Sequence, residues 1–363
     1  MQDDHVIPFV KSLRRGRGAT ENPDGRFEPT QTERIHDGWT DPEMEGKRLR
    51  TSITIENPKS IISRNISPDL PFDQSVNTYR GCEHGCIYCF ARPTHAFMNL
   101  SPGLDFESRL FAKPNAAALL TKEISRPGYK CKPIALGTNT EPYQPIERDL
   151  VITRDIITVL AKARHPFSIT TKSNLVLRDI DILAPLARDN LVSVGISVTT
   201  LDKTLARRME PRASAPHKRL ETIKELSKAG IPALVQIAPV IPALNDQELE
   251  QIMEAAKENG AISAIYLLLR LPGEVSSLFQ NWLQEHYPDR AARVMKLVRS
   301  MRGGKDYNSA FGTRMVGTGP YAALINQRFK LACRHLGYSR SKYDLNTDLF
   351  NGAGKDHRQM SLF

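Results

Sequence analysis

Six short β-rich runs alternate with helical stretches through the middle of this 363-residue chain. The runs are Val76–Gly81, Pro133–Gly137, Phe167–Thr171, Leu191–Val198, Ala233–Val240 and Ala261–Leu269. The helical stretches carry their own periodicity. In Pro216–Ala229, Leu220, Ile223 and Leu226 share one face and Gly230 supplies a stop; in Asp246–Asn259, Leu249, Ile252, Met253 and Ala256 face inward ahead of Gly260. Strand–helix alternation predicts an α/β fold with a parallel sheet and crossover helices. Six units suit a partial (β/α)6 barrel, and a doubly wound open sheet fits the same period. In both, ligands gather at the C-terminal ends of the strands, so the residues that follow the strands are the ones to read for chemistry.

The ends of the chain read differently. Residues 1–65 are rich in charge, Gly and Pro, with Arg14, Arg15 and Arg17 forming a basic patch, and predict a flexible arm. The α/β unit occupies 66–272, a mainly helical extension 273–340, and a polar flexible tail 341–363. No repeat of 20 to 50 residues is present.

A hydrophobic fraction of 40 % is enough for a sizeable core. The longest nearly uninterrupted apolar run, Ala261–Leu269, is far short of the ~20 residues that span a bilayer. The N-terminus lacks the apolar stretch of a secretion signal. A cytoplasmic protein is the expectation. The net charge of +10 favours an acidic partner, of which nucleic acid is the commonest. Five cysteines, three of them in one eight-residue window, do not make a disulfide framework.

That window follows the first run: Tyr79-Arg80-Gly81-Cys82-Glu83-His84-Gly85-Cys86-Ile87-Tyr88-Cys89-Phe90-Ala91-Arg92. Thiolates spaced Cys-x3-Cys-x2-Cys on one tight loop can converge on a metal centre, with Gly81 and Gly85 letting the backbone bend. Three cysteines on an iron–sulfur cubane leave one iron open to a ligand. The spacing also admits zinc, with His84 or His95 as fourth ligand. Later strand ends carry further polar residues. The second run leads into Asn139-Thr140-Glu141, whose carbonyls and carboxylate suit a ligand ammonium. The third ends at Lys172, which can pair with a carboxylate. The fourth ends at Ser197, ahead of Met209-Glu210-Pro211-Arg212.

Cys82-x3-Cys86-x-Tyr88-Cys89 after a first strand resembles the signature of the radical S-adenosylmethionine enzymes. Tyr-Arg-Gly-Cys, Cys-Phe-Ala-Arg-Pro, Thr-Glu-Pro-Tyr-Gln-Pro-x-Glu, Thr-Lys-Ser, and Ser-Val-Thr-Thr followed by Glu-Pro-Arg together resemble the spore photoproduct lyase branch, labelled DNA repair photolyase-like, over about residues 70 to 272. The resemblance implies a partial barrel and a [4Fe–4S] cluster held by Cys82, Cys86 and Cys89. It implies S-adenosylmethionine chelated at the fourth iron, with Tyr88 packed on it. Asn139, Thr140 and Glu141 fall at the amino-group segment, Lys172 and Ser197 at positions that touch the cofactor, and Glu210 and Arg212 where its ribose and carboxylate are held. The implied activity is reductive cleavage to a 5′-deoxyadenosyl radical, acting on nucleic acid in a DNA-repair-like role, with RNA, a peptide or a small molecule as the alternative substrate and flavodoxin or ferredoxin as the kind of electron donor required. One departure stands out. The branch has a hydrogen-donating cysteine just ahead of the second-strand motif, where this chain reads Ala135-Leu136-Gly137-Thr138; Cys131 lies too early, and Phe90 lacks a phenolic hydrogen.

The last five residues, Gln359-Met360-Ser361-Leu362-Phe363, resemble the peptide by which bacterial repair proteins dock on the DNA sliding clamp, with Gln359 for hydrogen bonding and Leu362 and Phe363 as apolar anchors.

Overall fold

The computed structural model describes residues 17–27, 49–339 and 344–352. Among these residues ten strands form two sheets: β1 (Ser52–Ile55), β2 (Ile62–Arg64), β3 (Gln74–Val76), β4 (Tyr79–Arg80), β5 (Arg109–Ala112), β6 (Ile134–Leu136), β7 (Phe167–Thr171), β8 (Val192–Ser197), β9 (Ala233–Val240) and β10 (Ser263–Leu268). The larger sheet runs β2-β3-β6-β7-β8-β9-β10. Its six strands from β3 onward are parallel, and β2 pairs antiparallel with β3 at the edge.

This order settles the two arrangements left open by periodicity. A doubly wound sheet reverses its strand order at a switch point. Here the parallel strands follow one another in chain order without reversal. Right-handed crossovers then place the intervening helices on one face and leave the other as a lumen. β2 and β10 do not pair, so the barrel is partial and open.

The first run divides in two. β3 ends at Val76, and Tyr79–Arg80 pairs instead with β5 in a second sheet, β1-β5-β4. The break falls at Asn77, whose side-chain oxygen accepts from the backbone N–H of Asn139 (3.1 Å) and Thr140 (3.3 Å). The cysteine loop is therefore launched from β4, beside the main sheet.

Helix Pro216–Lys228 starts with Pro in its first turn, stops before Gly230 at φ +73°, and buries Ile223 and Leu226 as expected. Leu220 is only partly buried, and Arg219 takes an inward position. Helix Leu249–Glu258 buries Leu249, Ile252, Met253 and Ala256. Helices Val275–His286, Pro288–Ser300 and Gly319–His335 make the expected C-terminal extension. Phe279 and Trp282 share a hydrophobic cluster with Cys86, Ile87 and Tyr88, so the first two of these helices back the cysteine loop. No helix among the described residues is long and apolar enough to cross a membrane.

Both polar ends contain packed structure. Within the segment expected to be an arm, β1 and β2 are strands, and the backbone N–H groups of Gly18 and Ala19 donate to the Glu107 carboxylate (2.9 and 2.8 Å). Gly18 sits so close that an added Cβ would lie 1.9 Å from the carbonyl oxygen of Gly85. Arg17, read as part of the basic patch on a flexible arm, instead donates to the carbonyls of Leu49 and Glu107 and to Thr51; Arg14 and Arg15 lie outside the described residues. Within the expected tail, Phe350 packs on Tyr129 and His165, with ring centroids 5.6 and 5.1 Å apart. Composition missed both segments because a few apolar or glycine contacts suffice to dock a polar stretch. Gln359, Leu362 and Phe363 lie outside the described residues.

Candidate active site

Gly81, at φ +74°, turns the chain out of β4, and Gly85, at φ +63°, turns it again between the first two cysteines. No L side chain fits either turn without strain. The loop is then pinned through its backbone: Cys82 N–H to the Phe106 carbonyl (2.9 Å), and Ile87 N–H to the Met209 carbonyl (3.0 Å). Arg92 holds it from beneath. Its guanidinium donates to the carbonyls of Cys86 (2.9 Å), Gly85 (3.1 Å), Pro102 (3.0 Å) and Gly103 (2.9 Å), and pairs with Glu107. Both side chains of that pair are fully buried.

Cys82 and Cys86 are each 7 % exposed and Cys89 is partly buried. Burial pushes the Cys86 thiol up to about 12 and Cys82 well above its ordinary value, and the charge of the other cysteines adds to the rise at Cys82. Three such thiolates are not stable together in a water-poor loop without a cationic centre. The donor set therefore fits an iron–sulfur cluster. Among the described residues no three His, Cys, Asp or Glu side chains are grouped to hold a single metal ion, and both histidines that zinc would need as a fourth ligand have other partners. His84 faces Glu141, with Nδ1 3.6 Å from the carboxylate, and His95 Nε2 lies 3.0 Å from the Arg109 carbonyl. Burial lowers both imidazoles to about 4.

A charged network adjoins the loop. Glu210, 2 % exposed, accepts from the hydroxyls of Tyr88 and Thr199 (the latter 2.7 Å) and from Arg219. Burial opposes its charge, but Arg219 and Lys172 overcome this and hold its pKa down to about 2. Arg219 is completed by the carbonyls of Ser214 (2.6 Å) and Ser197 (3.1 Å). The Lys172 ammonium sits 5.8 Å from the Tyr88 ring centroid. Its burial too opposes charge, while Cys86, Glu210 and Glu141 raise its pKa. The structure thus brings Tyr88, Lys172, Ser197 and Glu210 together around the cysteine loop.

The other expected residues occupy the flanks. Thr140 donates to the Tyr79 carbonyl (3.2 Å), and Glu141 accepts from Thr171 (2.5 Å), the backbone of Lys172 (2.9 Å) and Tyr143 (3.0 Å), tying the ends of β6 and β7 together. Asn139 is held at its N–H by Asn77. Arg212 pairs with Glu83 at 2.8 Å and borders a polar cavity of about 210 Å³ that also meets His84, Ser173, Asn174 and Ser214. Cys131 precedes β6, at the end of that strand away from Asn139–Glu141.

Four residues that shape the site had no signal in the spacing of motifs: Arg92, Glu107, Gln144 and Arg219. Gln144 is fully buried and accepts from the Glu83 N–H at 2.9 Å. Arg92 and Gln144 lie inside the motifs Cys-Phe-Ala-Arg-Pro and Thr-Glu-Pro-Tyr-Gln-Pro, which mark their presence but not their role; nothing local marks Glu107 or Arg219.

The sequence profile of the Radical SAM superfamily matches residues 76–256. An uncharacterized protein of Mycobacterium tuberculosis is 39 % identical over 232 residues, which is 63 % of this chain and 68 % of that protein. An uncharacterized protein of Methanocaldococcus jannaschii is 30 % identical over 215 residues, 59 % of this chain and 76 % of the other. Among solved structures, spore photoproduct lyase complexed with dinucleoside spore photoproduct superposes with a TM-score of 0.54 at 12 % identity, covering 78 % of this chain and 79 % of that one. A variant of that lyase with bound S-adenosylmethionine gives 0.53 at the same identity and coverage. At such identity the likeness is one of fold.

Proposed function

From the premise that this chain belongs to the radical S-adenosylmethionine superfamily, an enzyme family that uses a [4Fe–4S] cluster and S-adenosylmethionine, we propose that Cys82, Cys86 and Cys89 hold the cluster and that the enzyme acts on nucleic acid. The observation that carries the assignment of ligands is the buried three-cysteine loop with the Tyr88–Glu210–Arg219 network and Lys172 beside it. When bound, the cluster supplies one electron that breaks the C5′–S bond of S-adenosylmethionine, giving methionine and a radical able to take a hydrogen atom from a substrate.

The chain's own residues do the positioning. Glu210 fixes the Tyr88 ring by its hydroxyl, so that the ring face is presented rather than free to rotate. Lys172 and Arg212 supply positive charge for the carboxylate of S-adenosylmethionine. Asn139 and Thr140 offer backbone carbonyls toward its ammonium group. Glu141, already anchored by Thr171 and Lys172, sets the electrostatic field there. The aliphatic and aromatic side chains that pack on Cys86 and Tyr88 exclude water. A DNA substrate is supported by the net charge of +10 and by a fold shared with a lyase seen with a dinucleoside photoproduct. With no cysteine at the end of β6, repair of the spore photoproduct itself is expected to be weak.

Anaerobic reconstitution with iron and sulfide, then turnover with dithionite and S-adenosylmethionine with and without ultraviolet-damaged DNA, tests this. A broad band near 400 nm, methionine release, and a change of product pattern with DNA are expected. Methionine release that is the same with every DNA tested, with DNA recovered unaltered, would remove the DNA reading and leave an RNA, a peptide or a small molecule as substrate.

A further inference from the structure

β10 ends at Leu268, and Arg270 follows two residues beyond the C-terminal end of that strand. The Arg270 guanidinium carbon lies 4.2 Å from the centroid of the Phe90 ring. Phe90 is covalently adjacent to Cys89 and is 43 % exposed, unusual for a large apolar side chain next to a buried centre. The backbone around Arg270 is held firmly. Arg302 donates to the carbonyls of Leu269 (2.7 Å), Thr313 (3.0 Å) and Arg314 (2.9 Å), and Leu268 N–H donates to the Met315 carbonyl (2.9 Å).

The arginines in this corner are not equivalent. Arg314 is neutralised by Asp69 through two bonds of 2.6 and 2.7 Å. The Arg302 guanidinium donates to three carbonyls. Arg270, also partly buried, has among the described residues only the Met315 sulfur at 3.4 Å as a side-chain hydrogen-bond partner and no carboxylate at ion-pair distance. A partly desolvated guanidinium without an anion is costly, and it is a ready site for a phosphate. An exposed aromatic face beside an unmatched cation is what a nucleotide needs, because every base has a π-face and every nucleotide a phosphate.

We propose that Phe90 and Arg270 form the substrate subsite: an unstacked nucleotide of single-stranded or locally opened DNA stacks its base on Phe90 and places the adjoining phosphate on Arg270. This rests on the nucleic-acid reading above and adds to it where the reacting nucleotide sits, next to Cys89. Phe311, 56 % exposed with the Arg314 guanidinium 4.8 Å from its ring centroid, lies in the segment that also supplies Met315 to Arg270.

Fluorescence anisotropy with a labelled single-stranded oligodeoxynucleotide and with its duplex tests the subsite on the full-length, cluster-reconstituted protein. Wild type is expected to bind the single strand. Phe90→Ala is expected to weaken binding roughly 5- to 150-fold, the range of one lost base stack, and Phe90→Trp to restore it. Arg270→Gln is expected to flatten the slope of log K against log salt by about 0.7, one phosphate on a single strand. Iron content and circular dichroism melting of each variant identify any that fails to fold, and Phe90→Trp is the variant that retains bulk there. If wild type binds neither single strand nor duplex, the DNA reading falls and the subsite with it. If wild type binds DNA but Phe90→Ala and Arg270→Gln match it in affinity and salt slope, the subsite alone is overturned. A shift in the cluster's reduction potential for Arg270→Gln, with DNA affinity and salt slope unchanged, also overturns it, and makes the arginine a counter-charge to the cluster.

Discussion

Replacing Arg92 with Met should unfasten the cysteine loop without touching a cysteine. The guanidinium makes five hydrogen bonds, four to backbone carbonyls at Gly85, Cys86, Pro102 and Gly103 and one to Glu107, and neither member of the ion pair is exposed. Met fills much of the volume, so the cavity term is small. What remains is the Glu107 charge, with Gly18 and Ala19 as its backbone donors, and carbonyls that have lost a charged donor. Breaking a buried pair from one side costs about 3–5 kcal/mol, a large part of the ~5–15 kcal/mol that holds a typical domain folded. Adding Glu107→Gln removes the stranded charge while its amide oxygen still accepts from Gly18 or Ala19. The double variant should therefore recover at least about 1 kcal/mol over Arg92→Met, a coupling of the size expected for residues in contact. Urea unfolding of the cluster-free proteins, followed by circular dichroism, measures both quantities. An Arg92→Met variant within 1 kcal/mol of wild type, or a double variant no more stable than the single one, would refute the assignment of Arg92 as the loop's anchor.

Other outcomes follow from the same geometry. Cys82→Ala, Cys86→Ala and Cys89→Ala should each lose most bound iron and all S-adenosylmethionine cleavage, whereas Cys131→Ala and Cys333→Ala should keep the 400 nm band; normal cleavage by Cys86→Ala would sink the ligand assignment. Ala at Glu141, Lys172 and Arg212 should weaken S-adenosylmethionine binding in calorimetric titration with the cluster band intact, and unchanged affinity in all three would mean the pocket lies elsewhere. His165, fully buried between Tyr129 and the Pro166 carbonyl, is lowered by burial to about 4. The unfolded chain thus takes up its proton first as pH falls from about 6.5. His165 alone should lower stability between pH 6.5 and 4 by up to about 1.4 kcal/mol per unit, in addition to the same effect from His84 and His95. His165→Asn should flatten that part of the urea-midpoint profile, and a slope identical to wild type would show the imidazole titrates normally.

Much of this protein was determined by residues near one another in the chain. Strand and helix identity over Phe167–Thr171, Ala233–Val240 and Leu249–Glu258 follows from side-chain period, a local property, and the structure places those elements where the period does. The cysteine loop was legible because its ligand spacing and both turning glycines lie within nine residues. The order of the strands was not, because both a partial barrel and a doubly wound sheet are built from the same βα units; only the pairing of β3 with β6 and onward decides between them. Nor were the groups that hold the site. Glu107 meets Gly18 and Ala19 across 89 and 88 residues, and Tyr88 meets Glu210 across 122. Arg219 was hidden on a helix face that periodicity assigns to apolar residues, and Arg270 gains meaning only from lying over Phe90 without a carboxylate at hand. Sequence carries the chemistry of a contiguous loop because covalent spacing limits what it can reach. The neutralisation of a buried charge depends on which distant group the fold delivers, and that is decided only when the tertiary structure has formed.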